Sequence, residues 1–186
     1  MPTWIYTPSP DNLARTLLGT EGAHPLVCVG INPSTAAPGD LDRTVATVAR
    51  VAESGDFDGF MMLNVYPQRA TNPNDMHTAA DHELHAWNMH SIAAFADGRT
   101  LNVWAAWGTL IRQRKYLPQL LTDIVALPEL ANVQWLSRGP RSKAGHPHHQ
   151  DSRHGVIIRE RSERVLTSQG RCPGTGLVVS HVHTQP

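Results

Sequence analysis

The sequence predicts a single α/β domain, with helices on both faces of a parallel sheet and a working site beyond the carboxyl ends of its strands. Three observations predict it. Four short apolar runs, at residues 26–31, 59–64, 101–106 and 133–136, are bounded by turn and loop residues in the manner of buried strands. Segments with helical spacing alternate with these runs, the pattern of a mostly parallel sheet joined by crossover helices. The loops that follow the runs are rich in Asn, Ser, Thr, Arg and His, and open parallel sheets bind ligands there. The expected architecture is three-layer α/β/α about a central four-stranded parallel sheet.

Taken in order, the run 26–31 leads through a loop to Asp42, whose carboxylate can cap a helix over 43–54. Val45, Val48, Ala49 and Ala52 fall on one side of that helix. After the run 59–64, Asp81 starts a second helix through Phe95, with Leu84, Trp87 and Ile92 at core positions. After 101–106, a third extends from Thr109 towards Leu121, interrupted or bent by Pro118. These elements make one domain over residues 1–150, without an internal repeat. Residues 151–186 form a basic extension with Arg153, Arg159, Arg161, Arg164 and Arg171. There 156–158 and 177–179 read either as edge strands or as part of a partly disordered tail.

Composition narrows the function. A chain of 186 residues, 40% hydrophobic and 17% charged, is long and apolar enough for a real core. Sixteen basic residues balance sixteen acidic ones, which argues against a surface devoted to non-specific nucleic-acid binding but leaves room for a local basic cleft. Cys28 sits in an apolar run as an inert thiol, and no bridge to Cys172 is expected. No signal peptide is read at the start, and no apolar run approaches the ~18 residues that span a bilayer. The expectation is a cytoplasmic chain with no membrane partner. Phosphate-loop and dinucleotide fingerprints are missing. The histidines at 77, 82, 85 and 90 lack the H-E-x-x-H arrangement, so no cofactor and no metal is expected.

The candidate site residues lie in the strand-end loops. In Gly30-Ile31-Asn32-Pro33-Ser34-Thr35, Asn32 can orient a water or polarise a carbonyl, while Ser34 and Thr35 offer hydroxyls. A plain Asn-Pro turn ending the strand is the alternative. In the next loop Asn64 offers both donor and acceptor to a base or amide edge, and Arg69 suits a phosphate or carboxylate unless it forms a solvated salt bridge. Tyr66 either stacks on a ligand ring or is a half-buried structural residue. Thr71 and, after the third run, Gly108 complete the substrate-binding set. In the fourth loop His146, beside Pro147, can donate a hydrogen bond to developing negative charge.

These motifs carry two resemblances. Asn32-Pro33-Ser34-Thr35-Ala36, Asn64 with Arg69-Ala70-Thr71 and Pro73, Trp107-Gly108 and His146-Pro147 resemble an uncharacterised family of bacterial and phage proteins, over roughly residues 26–150. More distantly, Gly30-Ile31-Asn32-Pro33 looks like the first motif of the mismatch-specific branch of the uracil-DNA glycosylase superfamily. The segment from Gly59 to Thr71, the run 103–108 and His146-Pro147 are similar to that superfamily's later motifs, in the same order. This second resemblance implies hydrolysis of an N-glycosidic bond in DNA or a nucleotide. Asn32 would then hold the water, Asn64 read the base, Arg69 bind phosphate and His146 stabilise the departing base. The sequence departs from that pattern at Ser34, where the branch has glycine, and shows no leucine wedge after His146-Pro147. A non-catalytic nucleotide or nucleic-acid binding module is the alternative implied by the same pocket.

Overall fold

Alternate residues of the strand Pro25–Gly30 (β3) enter two separate cores: Val27 and Val29 one, Leu26 and Cys28 the other. That division makes β3 a strand buried on both faces, and its neighbour Gly59–Asn64 (β4) is divided likewise, with Met61 and Leu63 opposite to Phe60 and Met62. The structure is a computed structural model and describes residues 2–136. The proposed extension 151–186, His146 and the fourth loop lie outside the described residues.

One face is covered by the helix Arg43–Ser54 (α1), which buries Val45, Val48 and Ala52. Asp42 caps it, accepting from the Val45 N–H at 2.9 Å. The other face is covered by His82–Ala96 (α2) and Leu117–Val125 (α3). Asp81 caps α2 through the Leu84 N–H at 3.0 Å, and Ile92 is buried as expected, whereas Leu84 and Trp87 are half-buried at the margin. The third helix departs from expectation. A short 3-10 turn at Gly108–Arg112 precedes α3, and Pro118 sits in the first turn of α3, where its missing N–H costs nothing, instead of bending a longer helix.

The fold is α/β, but the expected central four-stranded parallel sheet is corrected to a mixed sheet of six strands in the order β1-β2-β4-β3-β5-β6. Here β1 is Trp4–Pro8, β2 is Arg15–Thr20, β5 is Asn102–Ala105 and β6 is Gln134–Leu136. Strand β3 pairs in parallel with β4 and β5, and β5 with β6. The two added strands are antiparallel: β1 pairs with β2, and β2 with β4. Trp4-Ile5-Tyr6-Thr7 is rich in aromatic and β-branched residues suited to a strand. Gly19 lets β2 approach β4, since a Cβ there would stand 2.1 Å from the Phe60 carbonyl oxygen.

The chain leaves β3 for β4 on one side and then returns through α2 to β5 on the other. Its direction of winding therefore reverses at β3, and the loops after β3 and its neighbours flank a crevice of the kind in which ligands bind. Among the described residues no helix is long and apolar enough to cross a membrane.

Candidate functional site

Two loops, after β3 and after β4, are fastened together before any ligand is considered. The N–H groups of Val65, Tyr66 and Ala70 donate to the carbonyls of Gly30, Ile31 and Pro33 at 2.9–3.0 Å. Asn32 adds a side-chain strap, its Nδ2 donating to Ala70 O at 2.7 Å and Pro33 O at 2.9 Å. These two bonds fix the amide plane, and among the described residues no donor reaches the Asn32 Oδ1.

A third segment completes the cluster. Ala14 bridges Gln68 in antiparallel fashion, Arg69 N–H donates to Leu13 O at 2.8 Å, and Arg15 N–H donates to Pro67 O at 2.9 Å. This brings two arginines together. The Arg69 Nη1 donates to Ser34 O at 2.6 Å and to Ala36 O at 3.5 Å, and its Nη2 to the Tyr6 hydroxyl at 2.6 Å. The Arg15 Nη1 donates to the same Ala36 O at 2.7 Å. Arg15 is only 1% exposed, and the Nε atoms of both arginines are buried without a hydrogen-bond partner.

Among the described residues no carboxylate lies within ion-pair distance of either guanidinium. Asp42 influences Arg15 only through space, its carboxylate being engaged at the α1 cap. Burial, and next the neighbouring charge of Arg69, push the Arg15 pKa down to about 10, which still leaves it a cation at neutral pH. The salt bridge considered for Arg69 is thus replaced by carbonyl and hydroxyl partners.

Above the arginines lies a shallow pocket of about 270 Å³, lined by Asn12, Ser34, Thr35, Arg69, Ala70 and Thr71. Ser34 Oγ and Thr71 Oγ1 stand 3.3 Å apart across it. Four of the sequence candidates, Ser34, Thr35, Arg69 and Thr71, therefore meet in one place, with Asn32 strapping the two loops beside them.

The remaining candidates sit elsewhere. Asn64 is 1% exposed and packs over Gly30, whose Cβ, if it had one, would be 3.3 Å from the Asn64 Oδ1. Its Nδ2 is buried without a partner, while its backbone carbonyl accepts from Asn88 Nδ2 of α2 at 2.9 Å. Tyr66 is fully buried, edge-on to Tyr116 and His77, with its hydroxyl bonded to His77 Nδ1 at 2.7 Å and accepting from the Asp81 N–H at 3.0 Å. It braces the loop, and burial raises its pKa. Gly108 is exposed after β5 with φ +54°, a left-handed turn suited to glycine, and does not line the pocket.

Tyr6, Asn12 and Arg15 belong to the site and were not singled out by sequence reasoning. The signal for Arg15 was present: an arginine inside Ala14-Arg15-Thr16-Leu17-Leu18 is a charge at risk of burial. Asn12 takes a positive φ of 59°, which asparagine tolerates better than most residues. Among the described residues no group of three His, Cys, Asp or Glu, the histidines at 77, 82, 85 and 90 included, is placed to hold an ion.

A family model described as "Protein of unknown function (DUF1643)" matches residues 12–149. The chain belongs to the DUF1643 family. That match takes in all three segments of the cluster except Tyr6 and the start of the hairpin, so the paired arginines fall inside the DUF1643 region. No curated protein and no solved structure matches the chain.

Proposed function

We propose that this DUF1643 chain binds a nucleotide or a nucleic-acid end through its phosphate in the pocket of Ser34, Thr35, Arg69 and Thr71, and hydrolyses an N-glycosidic bond beside it. The observation that carries the reading is the half-buried Arg69 guanidinium, which meets one hydroxyl and two carbonyls but, among the described residues, no carboxylate. A cation withdrawn from water without a counter-ion is costly, and a ligand anion relieves that cost. Hydroxyls of Ser34, Thr35 and Thr71 supply the neutral donors that a phosphate also takes.

The glycosidic step draws on the two asparagines. Asn32, its amide held by two carbonyls, presents Oδ1 to accept a hydrogen bond from a water; the water oxygen bonds to the anomeric carbon as the C–N bond breaks, the electron pair leaves with the base, and the water's proton passes through solvent to that base. The unpaired Nδ2 of Asn64 is a buried donor suited to a base carbonyl once the neighbouring backbone admits one. His146 is proposed to donate to the departing base.

The test uses labelled single-stranded and duplex oligonucleotides carrying uracil or a mismatch, with wild type and Asn32→Ala compared for binding and strand scission at abasic sites. Abasic product formed by wild type and lost in a folded Asn32→Ala variant is the expected result. The second reading, a binding module without turnover, is favoured by one feature: among the described residues the pocket lining contains no carboxylate or imidazole to activate water. Binding without product in every substrate would select it, and absence of binding would overturn both.

A further inference from the structure

We infer that the pocket is built for a dianionic terminal phosphate, a phosphomonoester such as a 5′- or 3′-phosphorylated end or a free nucleotide, and that Arg15 supplies the second positive charge. The inference rests on the reading that the pocket takes a phosphate, and goes beyond it by choosing monoester over the internal diester of a continuous strand.

The choice follows from counting charges. Arg69 alone would balance the single negative charge of a diester. The structure places a second guanidinium directly behind it, both donating to the one carbonyl oxygen of Ala36. Like charges so close repel, and Arg15 is withdrawn from water at 1% exposure. Among the described residues no carboxylate forms an ion pair with either arginine; Asp42, which caps α1, attracts Arg15 only through space. Two Nε donors remain buried and unused. A structural clamp on the Ala36 carbonyl needs one neutral donor, not two guanidinium cations whose one nearby carboxylate, Asp42, attracts Arg15 through space but pairs with neither. A phosphomonoester carries close to two negative charges at neutral pH and so offsets both. Arg15 does not line the pocket, so it acts on the ligand through the field it adds to Arg69 and through the loop carbonyl they share.

The experiment measures binding of the full chain to one single-stranded oligonucleotide in three forms: with a 5′-phosphate, a 5′-hydroxyl, or a 5′-phosphate capped as its methyl ester, and the same set at the 3′ end. The 5′- or 3′-monoester is expected to bind about tenfold more tightly than both other forms, about 1.4 kcal/mol. Arg15→Met is expected to lose that preference while retaining weaker binding through Arg69, and Arg15→Lys to keep part of it. Thermal unfolding of each variant separates the roles. A purely structural Arg15 lowers the melting temperature and leaves the preference intact, and that outcome overturns the assignment. Equal binding of all three forms by wild type also overturns it, while leaving the phosphate pocket standing. No binding of any form removes the pocket reading as well.

Discussion

The two ends of the parallel strands are built on opposite terms. At the amino ends, polar groups are paired in the open: exposed Asp58 accepts from the N–H groups of Ala23 and His24, both at 2.8 Å. Chain segments there approach until no side chain fits, since a Cβ on Gly59 would lie 2.9 Å from the Thr20 carbonyl oxygen. At the carboxyl ends the polar groups are buried and partly unpaired: the Nε of Arg15 and of Arg69, the Nδ2 of Asn64 and the Oδ1 of Asn88. Buried polar atoms left without partners are uncommon in folded proteins and call for a reason. The unpaired atoms gather chiefly at the carboxyl end, beside the pocket proposed for a ligand, although the buried Glu129 Oε2 before β6 also lacks a partner.

Mutations at the two ends should separate accordingly. The largest effect is expected at the carboxyl end: Arg69→Met should weaken binding of a phosphorylated oligonucleotide about a hundredfold, near 2.7 kcal/mol, with a much smaller change in unfolding free energy. Equal losses of binding and stability would break the contrast. At the amino end, Gly59→Ala should destabilise by about 2 kcal/mol, because backbone carbonyls of β2 and the following turn must move, while the folded fraction binds as wild type. Denaturant unfolding read beside binding measures both.

A finer comparison lies between the two buried asparagines. Asn88→Leu removes the donor to the Asn64 carbonyl and should cost about 1.5 kcal/mol of stability. Asn64→Leu removes an amide nitrogen that has no partner, so stability should change by less than about 0.5 kcal/mol while base discrimination is lost. Chemical denaturation of the two variants checks the order. The smallest effect belongs to Asp58→Ala, expected to lower the melting temperature by about one degree without touching binding, since water can replace its exposed carboxylate at both N–H groups.

The parts of this molecule that are local in sequence were legible in it. Asp42 and Asp81 announced α1 and α2 because a capping carboxylate acts within three residues. The runs of β3 and β4 stood out because strands covered on both faces must be apolar throughout. That Ser34, Thr35, Arg69 and Thr71 line one pocket was foreseeable because the loops after adjacent parallel strands lie side by side. The hairpin of β1 and β2 was missed because Arg15, Thr16 and Thr20 dilute its apolar signal, and because its pairing with β4 joins segments about forty residues apart. With the hairpin went Tyr6 and Arg15, whose roles arise only from that distant pairing. Tyr66 was ambiguous for a related reason: whether a tyrosine faces a ligand or a core is decided by partners such as Tyr116 and His77.

The Tyr6 hydroxyl that receives Arg69 comes from β1, and among the described strands β1 has a single neighbour in the sheet. An edge strand held on one side opens in local fluctuations well below the free energy of global unfolding. When β1 peels away, Arg69 loses the anchor that aims its outer nitrogen, although the parallel strands remain assembled. Heat should thus silence the pocket before it melts the core, and the molecule's working range should be set by its outermost five residues of sheet rather than by its apolar interior.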